Sequence, residues 1–337
     1  MDLVASAQGS APRERSARPS EDILRGITVF SGSAHPELSA AICKHLDVEL
    51  SPSRVVRFAN DCLEVQLQAN CRDRDVFLIQ PIVPNVSEHL VELLLMINAA
   101  HGASAGRTTV VMPHFAYARS DKKDAPRISI GARLVADLLV AAGADRILTM
   151  TLHSPQVHGF FSVPVDHLHA LSELATHFEA MDLSHAVVVS PDLGNAKSAS
   201  AFARILGVPV AAGAKQRFDD DRVSITSIIG DVADRDVIVL DDEIAKGSTV
   251  FELLARLREQ GVRSVRVACT HGLFAYDALA RLAAEPDVLE IICTDTVPIE
   301  DSKRVPKLCV HSVAPVLADA MRRIHEGESV SALFHHD

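Results

Sequence analysis

The sequence predicts an α/β protein built of two doubly wound domains in tandem. Short runs of aliphatic and β-branched residues without polar alternation, such as Val237–Leu240, are typical of strands that are covered on both faces. These runs alternate with segments of helical spacing, and such alternation predicts a parallel sheet with helices on its two faces. At 337 residues and 48% hydrophobic content, the chain is long enough for two domains of ordinary size.

Residues 1–24 are rich in Ser, Ala, Pro, Arg and Glu and show no periodicity, so we expect a disordered tail. The regular pattern that begins at Ile27 predicts a first domain over residues 25–169. Apolar runs of strand length and segments of helical spacing alternate through it. The predicted elements are strands at Ile27–Ser31, Val55–Phe58, Leu63–Gln68, Val76–Gln80, Thr108–Met112 and Arg146–Met150, and helices after Pro36 and at Glu88–His101 and Ser129–Ala142.

The second half repeats this plan, with a boundary expected near residues 168–172 and a second domain over residues 170–337. Both halves contain a strand that is followed by a polar loop, which is consistent with an ancient duplication. The predicted elements are helices at Leu171–Ala180 and Ala196–Leu206 and after Ser248 and Ala275, and strands at Ala186–Ser190, Pro209–Ala212, Val223–Ile229, Val237–Leu240, Val265–Thr270 and Leu289–Cys293.

Charge and hydropathy restrict the class of protein. The 44 acidic residues outnumber the 33 basic ones, and a net charge of −11 argues against non-specific binding of nucleic acid. No apolar run reaches the roughly 18 residues that a membrane span needs, and the first residues lack the apolar core of a signal peptide. We therefore expect a cytoplasmic protein without a nucleic-acid or membrane partner.

The six cysteines, at positions 43, 62, 71, 269, 293 and 309, form no Cys-x-x-Cys pair. Several of them fall inside predicted strands or helices, which favours buried free thiols. The spacing therefore supports neither a disulfide framework nor a zinc site.

The stretch Val237–Thr249 organises the rest of the chain. A buried strand runs into Asp241 and Asp242, and a small, hydroxyl-bearing turn follows before helical spacing resumes. Open α/β sheets bind ligands at the carboxyl ends of their strands, and the free amides of a helix start favour a phosphate there. The two carboxylates would then face sugar hydroxyls or a metal ion. An acidic turn between a strand and a helix is the alternative.

Other charged residues also follow predicted strands. Arg119, Asp121, Lys122, Lys123 and Arg127 lie between a strand and a helix, where they could hold a polyphosphate or form a solvated loop. His153 could bind a metal or a phosphate, or be structural. Asp192 could be a magnesium ligand. Lys215 and Arg217 could close over a phosphoryl group, or lie in a plain turn.

Because every charged motif follows a strand, we expect the two halves to face each other around one cleft. The order of the motifs closely resembles the ribose-phosphate pyrophosphokinase (phosphoribosyl pyrophosphate synthetase) family. The resemblance runs from about Ile27 to Phe334, and it implies two domains of the type I phosphoribosyltransferase-like fold. The motifs that carry it are Arg57-Phe58, Tyr117–Asp121, Leu152–Phe161, Val165-Asp166, Pro191–Gly194, Lys215–Arg217 and the Asp241-Asp242 stretch.

This resemblance implies transfer of the diphosphoryl group of ATP to the 1-hydroxyl of ribose 5-phosphate, with Mg²⁺, to give phosphoribosyl pyrophosphate and AMP. It also implies a homo-oligomer, either a hexamer or a dimer. The site residues carry over by motif. His153 and Asp192 would be linked to the metal; Lys215, Arg217 and His153 would be catalytic; Phe58, Asn60, Asp61, Cys62, Arg119, Ser120, Asp121 and Lys122 would bind ATP; and Arg217, Asp241, Asp242, Ala245, Lys246, Gly247, Ser248 and Thr249 would bind ribose 5-phosphate.

Two loops depart from the family pattern. The family has Phe-Ser-Asp-Gly-Glu beside the adenine, whereas this chain has Phe58-Ala59-Asn60-Asp61-Cys62. In the sugar loop, Asp-Thr-Ala-Gly-Thr is replaced by Ala245–Thr249. Three functions therefore stay open, namely an active synthetase, a catalytically silent regulatory subunit and a phosphoribosyltransferase. Retention of His153, Asp192, Lys215 and Arg217 favours the first of them.

Overall fold

The computed structural model describes residues 26–219 and 222–333, and at residues 215–219 and 222–224 it describes the backbone alone. The tail predicted at residues 1–24 lies outside the described residues. Two separate sheets, each with helices on both faces, follow one another along the chain, which confirms the predicted α/β class. Within the described ranges, no helix is both long and apolar enough to span a bilayer.

The first sheet has six parallel strands in the order β2-β1-β5-β6-β7-β8, and β3 and β4 form a separate antiparallel ribbon. The elements of this half are β1 (Ile27–Ser31), α1 (Pro36–Leu46), β2 (Leu50–Ser51), β3 (Ser53–Arg57), β4 (Leu63–Leu67), β5 (Asp75–Ile79), α2 (Val86–Gly102), β6 (Arg107–Met112), α3 (Gly131–Ala142), β7 (Arg146–Met150) and β8 (Val165–Leu168).

The second sheet has seven strands in the order β11-β10-β9-β12-β13-β14-β15, and all neighbours are parallel except β10 and β11. The elements of this half are α4 (Leu171–Ala175), β9 (Ala186–Ser190), α5 (Ala196–Leu206), β10 (Val210–Asp219), β11 (Arg222–Ile229), β12 (Asp236–Ile244), α6 (Ser248–Glu259), β13 (Ser264–Gly272), α7 (Ala278–Ala284), β14 (Val288–Thr294), β15 (Leu308–His311) and α8 (Ala314–Glu326).

Each sheet buries apolar side chains on both faces, as continuous aliphatic strands require. In the first sheet, helices α2 and α3 cover one face, and α1 covers the other. In the second sheet, α6 and α7 cover one face, and α4 and α5 cover the other. These four apolar layers hold the strand ends in fixed positions, so the loops that follow the strands can carry a site.

Helix α8 follows the last strand of the second sheet but packs on the first sheet. Its apolar residues, including Leu317 and Met321, lie in one cluster with Ile42 of α1 and the strands of the first sheet. Two polar contacts fix it there. Arg107 donates to the carbonyl oxygen of Ile324 at 2.9 Å, and His325 Nδ1 lies 2.8 Å from Asp75 Oδ2. The end of the chain therefore links the two halves.

The predicted strands are correct in place but too short at several ends, and two predicted helices are too long. The helix predicted at Ser129–Ala142 begins only at Gly131. Strand β12 continues through Asp241 and Asp242 to Ile244, so these residues belong to a strand and not to a loop. The helix predicted at Leu171–Ala180 ends at Ala175 and continues as a 3-10 turn, Thr176–Phe178. Strands β2, β8 and β15 and helix α8 were not predicted.

The segment Lys215–Arg217 was expected on a loop, but its backbone lies in strand β10, where it pairs with β11 in an antiparallel hairpin. The physical reason is that β11 supplies partners for backbone groups that a free loop would expose to water. The cysteine prediction also needs a correction. All six thiols are free, but Cys62 is exposed and Cys309 is only half-buried.

Candidate functional site

The loops after β9 and β12 lie side by side because the chain leaves β9 in one direction for β10 and later returns on the other side as β12. Such a reversal of strand order opens a crevice at the carboxyl ends of the strands. Asn195 ties the two loops together. Its side-chain amide donates to the carbonyl oxygen of Leu240 at 3.0 Å, and its backbone N–H donates to Asp192 Oδ1 at 3.2 Å. Asp192 is thereby held beside the diacid.

The diacid is part of a paired strand. Asp241 is in register with Cys269 of β13, and Glu243 is in register with His271. Successive side chains of a strand point to opposite faces, so Asp241 and Glu243 share one face and Asp242 occupies the other. Pairing with β13 fixes the direction of all three carboxylates.

His153 of the first half contacts Asp242 of the second, with 2.6 Å between Nδ1 and Oδ2. The hydrogen bond that His153 donates to Asp242 raises the pKa of His153 above its ordinary value, although partial burial opposes this. The backbone before His153 is unusual, because Thr151 has a φ of 42°, a conformation that is rare for a β-branched residue. The N–H of Thr151 donates to Leu168 and its carbonyl oxygen accepts from His271, which holds the chain in this conformation.

Glu243 makes the second contact between the halves. Its two oxygens lie 3.1 Å from His114 Nε2 and 3.2 Å from the guanidinium of Arg119. Burial alone would raise the pKa of Glu243, but the hydrogen bond with His114 and the charge of Arg119 hold that pKa below its usual range. Glu243 is therefore a half-buried anion that fixes the loop after β6, and with it Arg119, against the second half.

His271 holds His114 and the backbone of Thr151 in place. It is buried, its ring centroid lies 4.8 Å from that of His114, and its Nε2 donates to the carbonyl oxygen of Thr151 at 2.9 Å. Burial, followed by the proximity of His114, lowers the pKa of His271 to about 4. A neutral imidazole at neutral pH can donate from Nε2 while Nδ1 accepts from the hydroxyl of Thr296, 2.9 Å away.

The two adjacent aspartates titrate differently. Burial and then the neighbouring charge of Asp242 raise the pKa of Asp241 well above its usual range. Burial acts in the same direction on Asp242, but the hydrogen bond and the charge of His153 outweigh it and lower that pKa to about 2. Asp241 is therefore the weaker acid of the pair, and Asp242 is the carboxylate that stays ionised.

A cavity of about 310 Å³ opens next to these groups. Gly247 forms the turn into α6 with a φ of 73°, a left-handed conformation that glycine adopts without strain. The first amides of α6 have no partner within the helix, and they make this turn suitable for an anion. The residues that line the cavity are Arg119, Asp241, Glu243, Ile244, Ala245, Lys246, Gly247, Ser248, Thr249 and Val250.

Most of the predicted site residues are thus brought to one place. Arg119, Asp241 and the turn Ala245–Thr249 line the cavity, Asp242 and His153 are paired beside it, and the charge of Asp192 acts on Asp241. Ser120, Asp121 and Lys122 continue the chain beyond Arg119. Ser120 Oγ accepts from the N–H of Gly131 at 2.9 Å, and Lys122 Nζ lies 3.9 Å from Asp121. The side chains of Lys215 and Arg217 lie outside the described residues.

The structure does not bring the proposed adenine residues to this cavity within the chain. Phe58, Asn60, Asp61 and Cys62 are exposed at the tip of the β3–β4 ribbon. Asp61 is paired there with Arg57, which also pairs with Glu88. Across residues 26–219 and 222–333, no hydrogen bond or ion pair joins this tip to the residues that line the cavity.

Three residues of the site, namely His114, Glu243 and His271, are not among those that the sequence predicts. Glu243 directly follows the diacid, and its position on a strand, one residue beyond Asp242, was the available signal. The two histidines gave no usable signal, because an isolated histidine is more often structural and only the contact between the loop after β6 and the end of β13 brings them together.

Comparison with known proteins agrees with this geometry. The family described as "N-terminal domain of ribose phosphate pyrophosphokinase" matches residues 27–143, and the family described as "Phosphoribosyl synthetase-associated domain" matches residues 222–335. A protein named "Putative ribose-phosphate pyrophosphokinase" from Streptomyces coelicolor is 74% identical over 311 residues, covering 92% of this chain and 98% of that protein. A ribose-phosphate pyrophosphokinase from Deinococcus radiodurans is 48% identical, covering 91% and 98%.

Among solved structures, a phosphoribosylpyrophosphate synthetase from Mycobacterium smegmatis superposes with a TM-score of 0.84 at 40% identity, covering 90% of this chain and 100% of that one. The matched regions include both sheets, and the similar proteins extend over almost the same length as this chain. On these grounds the protein belongs to the ribose-phosphate pyrophosphokinase family.

Proposed function

We propose that the protein is an active ribose-phosphate diphosphokinase, which transfers the β,γ-diphosphoryl group of ATP to the 1-hydroxyl of ribose 5-phosphate. Phosphoribosyl pyrophosphate and AMP are the products. One observation carries this proposal: Arg119 from the first half and Asp241 and the α6 turn from the second half surround one cavity. A cation for a polyphosphate and a pocket for a sugar phosphate therefore meet at one point.

The turn Gly247–Thr249 binds the 5-phosphate in this proposal. The first amides of α6 and the hydroxyls of Ser248 and Thr249 supply directed hydrogen bonds, and the positive end of the helix dipole adds attraction for a dianion. A backbone hydrogen bond fixes the start of the turn, because the N–H of Ala275 donates to the carbonyl oxygen of Ala245 at 3.0 Å. The turn is thus organised before a ligand binds.

Asp241 and Asp242 bind the vicinal hydroxyls of the ribose. The ionised Asp242 accepts from one hydroxyl, and Asp241 forms a hydrogen bond with the other. His153 fixes the orientation of Asp242 through its 2.6 Å contact. Both hydroxyls can then be satisfied by carboxyl groups that are already in position, which lowers the entropy lost on binding.

The donor set suits Mg²⁺ together with substrate phosphates. Mg²⁺ takes oxygen ligands and is usually held by one or two carboxylates and by phosphates. Asp192 and the diacid offer such oxygens, and His153 lies next to them. Around the diacid, within the described ranges, no three side-chain ligands converge closely enough to form a cage of their own. Asp192 and His153 would hold the ion, which neutralises phosphate charge when bound.

Lys215 and Arg217 act on the group in transfer. Their backbone lies on the β10–β11 hairpin, and β10 is adjacent to β9, the strand whose following loop carries Asp192. Attack on the β-phosphorus develops charge on phosphoryl oxygens, and a positioned lysine and arginine stabilise that charge. Arg119 binds the polyphosphate together with Ser120, Asp121 and Lys122.

Phe58 provides an aromatic surface for the adenine in this proposal, with Asn60, Asp61 and Cys62 around it. Its side chain is available, because 48% of the residue is exposed at the ribbon tip. We further propose that the protein assembles as a homo-oligomer, a hexamer or a dimer, and that it acts in the cytoplasm.

The decisive experiment is an assay for AMP with ATP, Mg²⁺ and ribose 5-phosphate, together with controls that lack each substrate. We expect AMP and phosphoribosyl pyrophosphate in equal amounts. A silent regulatory subunit would release no AMP but would change the rate of an active synthetase when the two are mixed. A phosphoribosyltransferase would instead consume phosphoribosyl pyrophosphate in the presence of a nucleobase. Either result would overturn the proposal.

A further inference from the structure

A second cluster of potential ligands lies at the other edge of the second sheet, outside the cavity. Cys309 and His311 belong to β15, the edge strand, and their spacing of two places both side chains on one face. His177 approaches them from the 3-10 turn Thr176–Phe178, which follows α4 on that side of the sheet. All three residues are half-buried. The fold therefore joins residues that are far apart in sequence.

Their ligand atoms face one another. His177 Nδ1 lies 3.0 Å from His311 Nε2, Cys309 Sγ lies 3.8 Å from the same nitrogen, and all three atoms lie within 4.8 Å of each other. Tetrahedral Zn²⁺ with ordinary bond lengths separates two nitrogens by about 3.4 Å and a nitrogen from a sulfur by about 3.6 Å. The distances from His311 Nε2 to His177 Nδ1 and to Cys309 Sγ are therefore within a few tenths of an ångström of those between the ligands of a tetrahedral zinc ion.

A carboxylate orients one of the rings. Glu290 Oε2 lies 3.3 Å from His177 Nε2 and accepts from Arg266 Nε at 2.8 Å. Donation from His177 Nε2 to Glu290 leaves the lone pair of Nδ1 directed at the cluster. This arrangement, in which a carboxylate holds the second nitrogen of a histidine, is the one that metal-binding histidines usually have.

We propose that His177, Cys309 and His311 bind a divalent transition-metal ion of the Zn²⁺ class, with Glu290 as the positioning residue and a water molecule as the fourth ligand. Binding displaces the thiol proton of Cys309 to solvent and requires His311 to carry its proton on Nδ1. Nitrogen and sulfur ligands disfavour Mg²⁺, so this ion is distinct from the one in the proposed active site.

The position of the cluster indicates a structural role. His311 is the last residue of β15, and α8, which packs on the first sheet, begins three residues later. A metal ion bound by both His311 and His177 would anchor the edge strand β15, and with it the start of helix α8, to the rest of the second sheet. We therefore expect metal binding to stabilise the chain without being required for the transfer reaction.

The test uses the full chain in excess Mg²⁺, so that sites made of oxygen ligands are filled, and then adds Co²⁺ as a spectroscopic probe. A cobalt–thiolate bond gives a charge-transfer band in the near ultraviolet, whereas cobalt bound by oxygen and nitrogen alone does not. We expect this band in the parent and in Cys62→Ser, which removes an exposed thiol elsewhere. We expect no band in Cys309→Ser, and addition of Zn²⁺ should abolish the band in the parent.

Zn²⁺ affinity, measured by competition with a chromophoric chelator, adds a second readout. Glu290→Gln should weaken binding by about 10- to 100-fold, the usual effect of changing the partner of a metal-binding histidine. Zn²⁺ should also raise the melting temperature of the parent but not that of Cys309→Ser. If Cys309→Ser does not fold, His177→Gln takes its place. Absence of the band from the parent, or its persistence in the folded ligand variant, would overturn the proposal.

Discussion

His153 Nδ1 and Asp242 Oδ2 lie 2.6 Å apart, although the residues are 89 positions apart in the sequence and belong to different halves of the chain. The contact sets the distance between the carboxyl ends of β7 and β12, and hence the width of the cleft at this point. Each partner shifts the titration of the other, because the charged forms stabilise one another. The stability of the chain should therefore depend on pH through this pair.

Asp242→Asn tests that dependence. The raised pKa of His153 contributes stability below its ordinary value of 6.5, and this contribution is lost as the pH rises through the raised value. The pKa of Asp242, lowered to about 2 from 3.8, contributes stability above 3.8 that is lost as the pH falls towards 2. Asp242→Asn should thus lower the free energy of unfolding most between pH 4 and 6.5, by about 1 to 3 kcal/mol.

Denaturant unfolding across the pH range measures this difference. Asp137→Asn is the matched control, because it breaks an exposed pair between Asp137 and Arg133 within one helix. Such pairs contribute only about 0.3 to 0.5 kcal/mol. A difference between the parent and Asp242→Asn that does not vary with pH would show that the two charges are not coupled.

Much of the fold is predictable from the sequence, because buried parallel strands are continuous apolar runs. Strand β7 and helix α5 have the predicted ends. Strand β12 was predicted too short because its last residues are polar, and their strand conformation depends on pairing with β13, which is a tertiary contact. The packing of helix α8 also depends on tertiary contacts, because an amphipathic pattern does not specify which of two sheets its apolar face covers.

The site was predictable where residues follow strands and unpredictable where packing joins distant parts. Arg119 and His153 were found because each follows a strand in the first half, and the diacid because it follows an apolar run. His114 and His271, by contrast, become partners only because β6 and β13 end at the same cleft. His177 and Cys309 have no recognisable spacing, since they are 132 positions apart and metal motifs are recognised by short spacings.

Gly247→Ala should affect the binding of ribose 5-phosphate at the turn Gly247–Thr249 more than the stability of the fold. Gly247 has a φ of +73°, and an added Cβ would lie 3.0 Å from Phe251, whose ring is covered by Arg281 at 4.3 Å. Gly261→Ala is the matched control, because Gly261 follows the same helix with a φ of +70° and has no atom within 4 Å of the added Cβ. Both variants should lose about 1 kcal/mol of stability from the left-handed conformation.

Steady-state kinetics separates the two glycine variants. Gly247→Ala should raise the KM for ribose 5-phosphate several-fold, because the displaced turn no longer directs its amides into the cavity. Gly261→Ala should leave this KM unchanged. Equal KM values for the two variants would mean that the turn does not bind the phosphate.

Lys215→Ala should lower kcat by about 100- to 1,000-fold or more and change the KM for ATP little, because a group that meets the phosphoryl oxygens mainly in the transition state acts on turnover. Arg217→Ala should act in the same direction. Lys303→Ala, which removes an exposed lysine of the second half, is the control for charge. Retention of most of the kcat by Lys215→Ala would exclude a catalytic role for this lysine.

Lys246 stands where the family pattern has a neutral residue, and it follows Ala245, which replaces an aspartate. The exposed Lys246 lines the cavity beside the turn that we propose for the 5-phosphate. A flexible ammonium group attracts a dianion from the rim, and salt screens such an exposed interaction over about 10 Å at 0.1 M. Lys246→Ala should therefore raise the KM for ribose 5-phosphate at low salt and have a smaller effect at high salt, with kcat nearly unchanged. Lys44→Ala, on helix α1 of the first half, is the control for loss of one exposed charge. An unchanged KM at both salt concentrations would mean that Lys246 points to solvent, and the phosphate would then be held by the helix start and its hydroxyls alone.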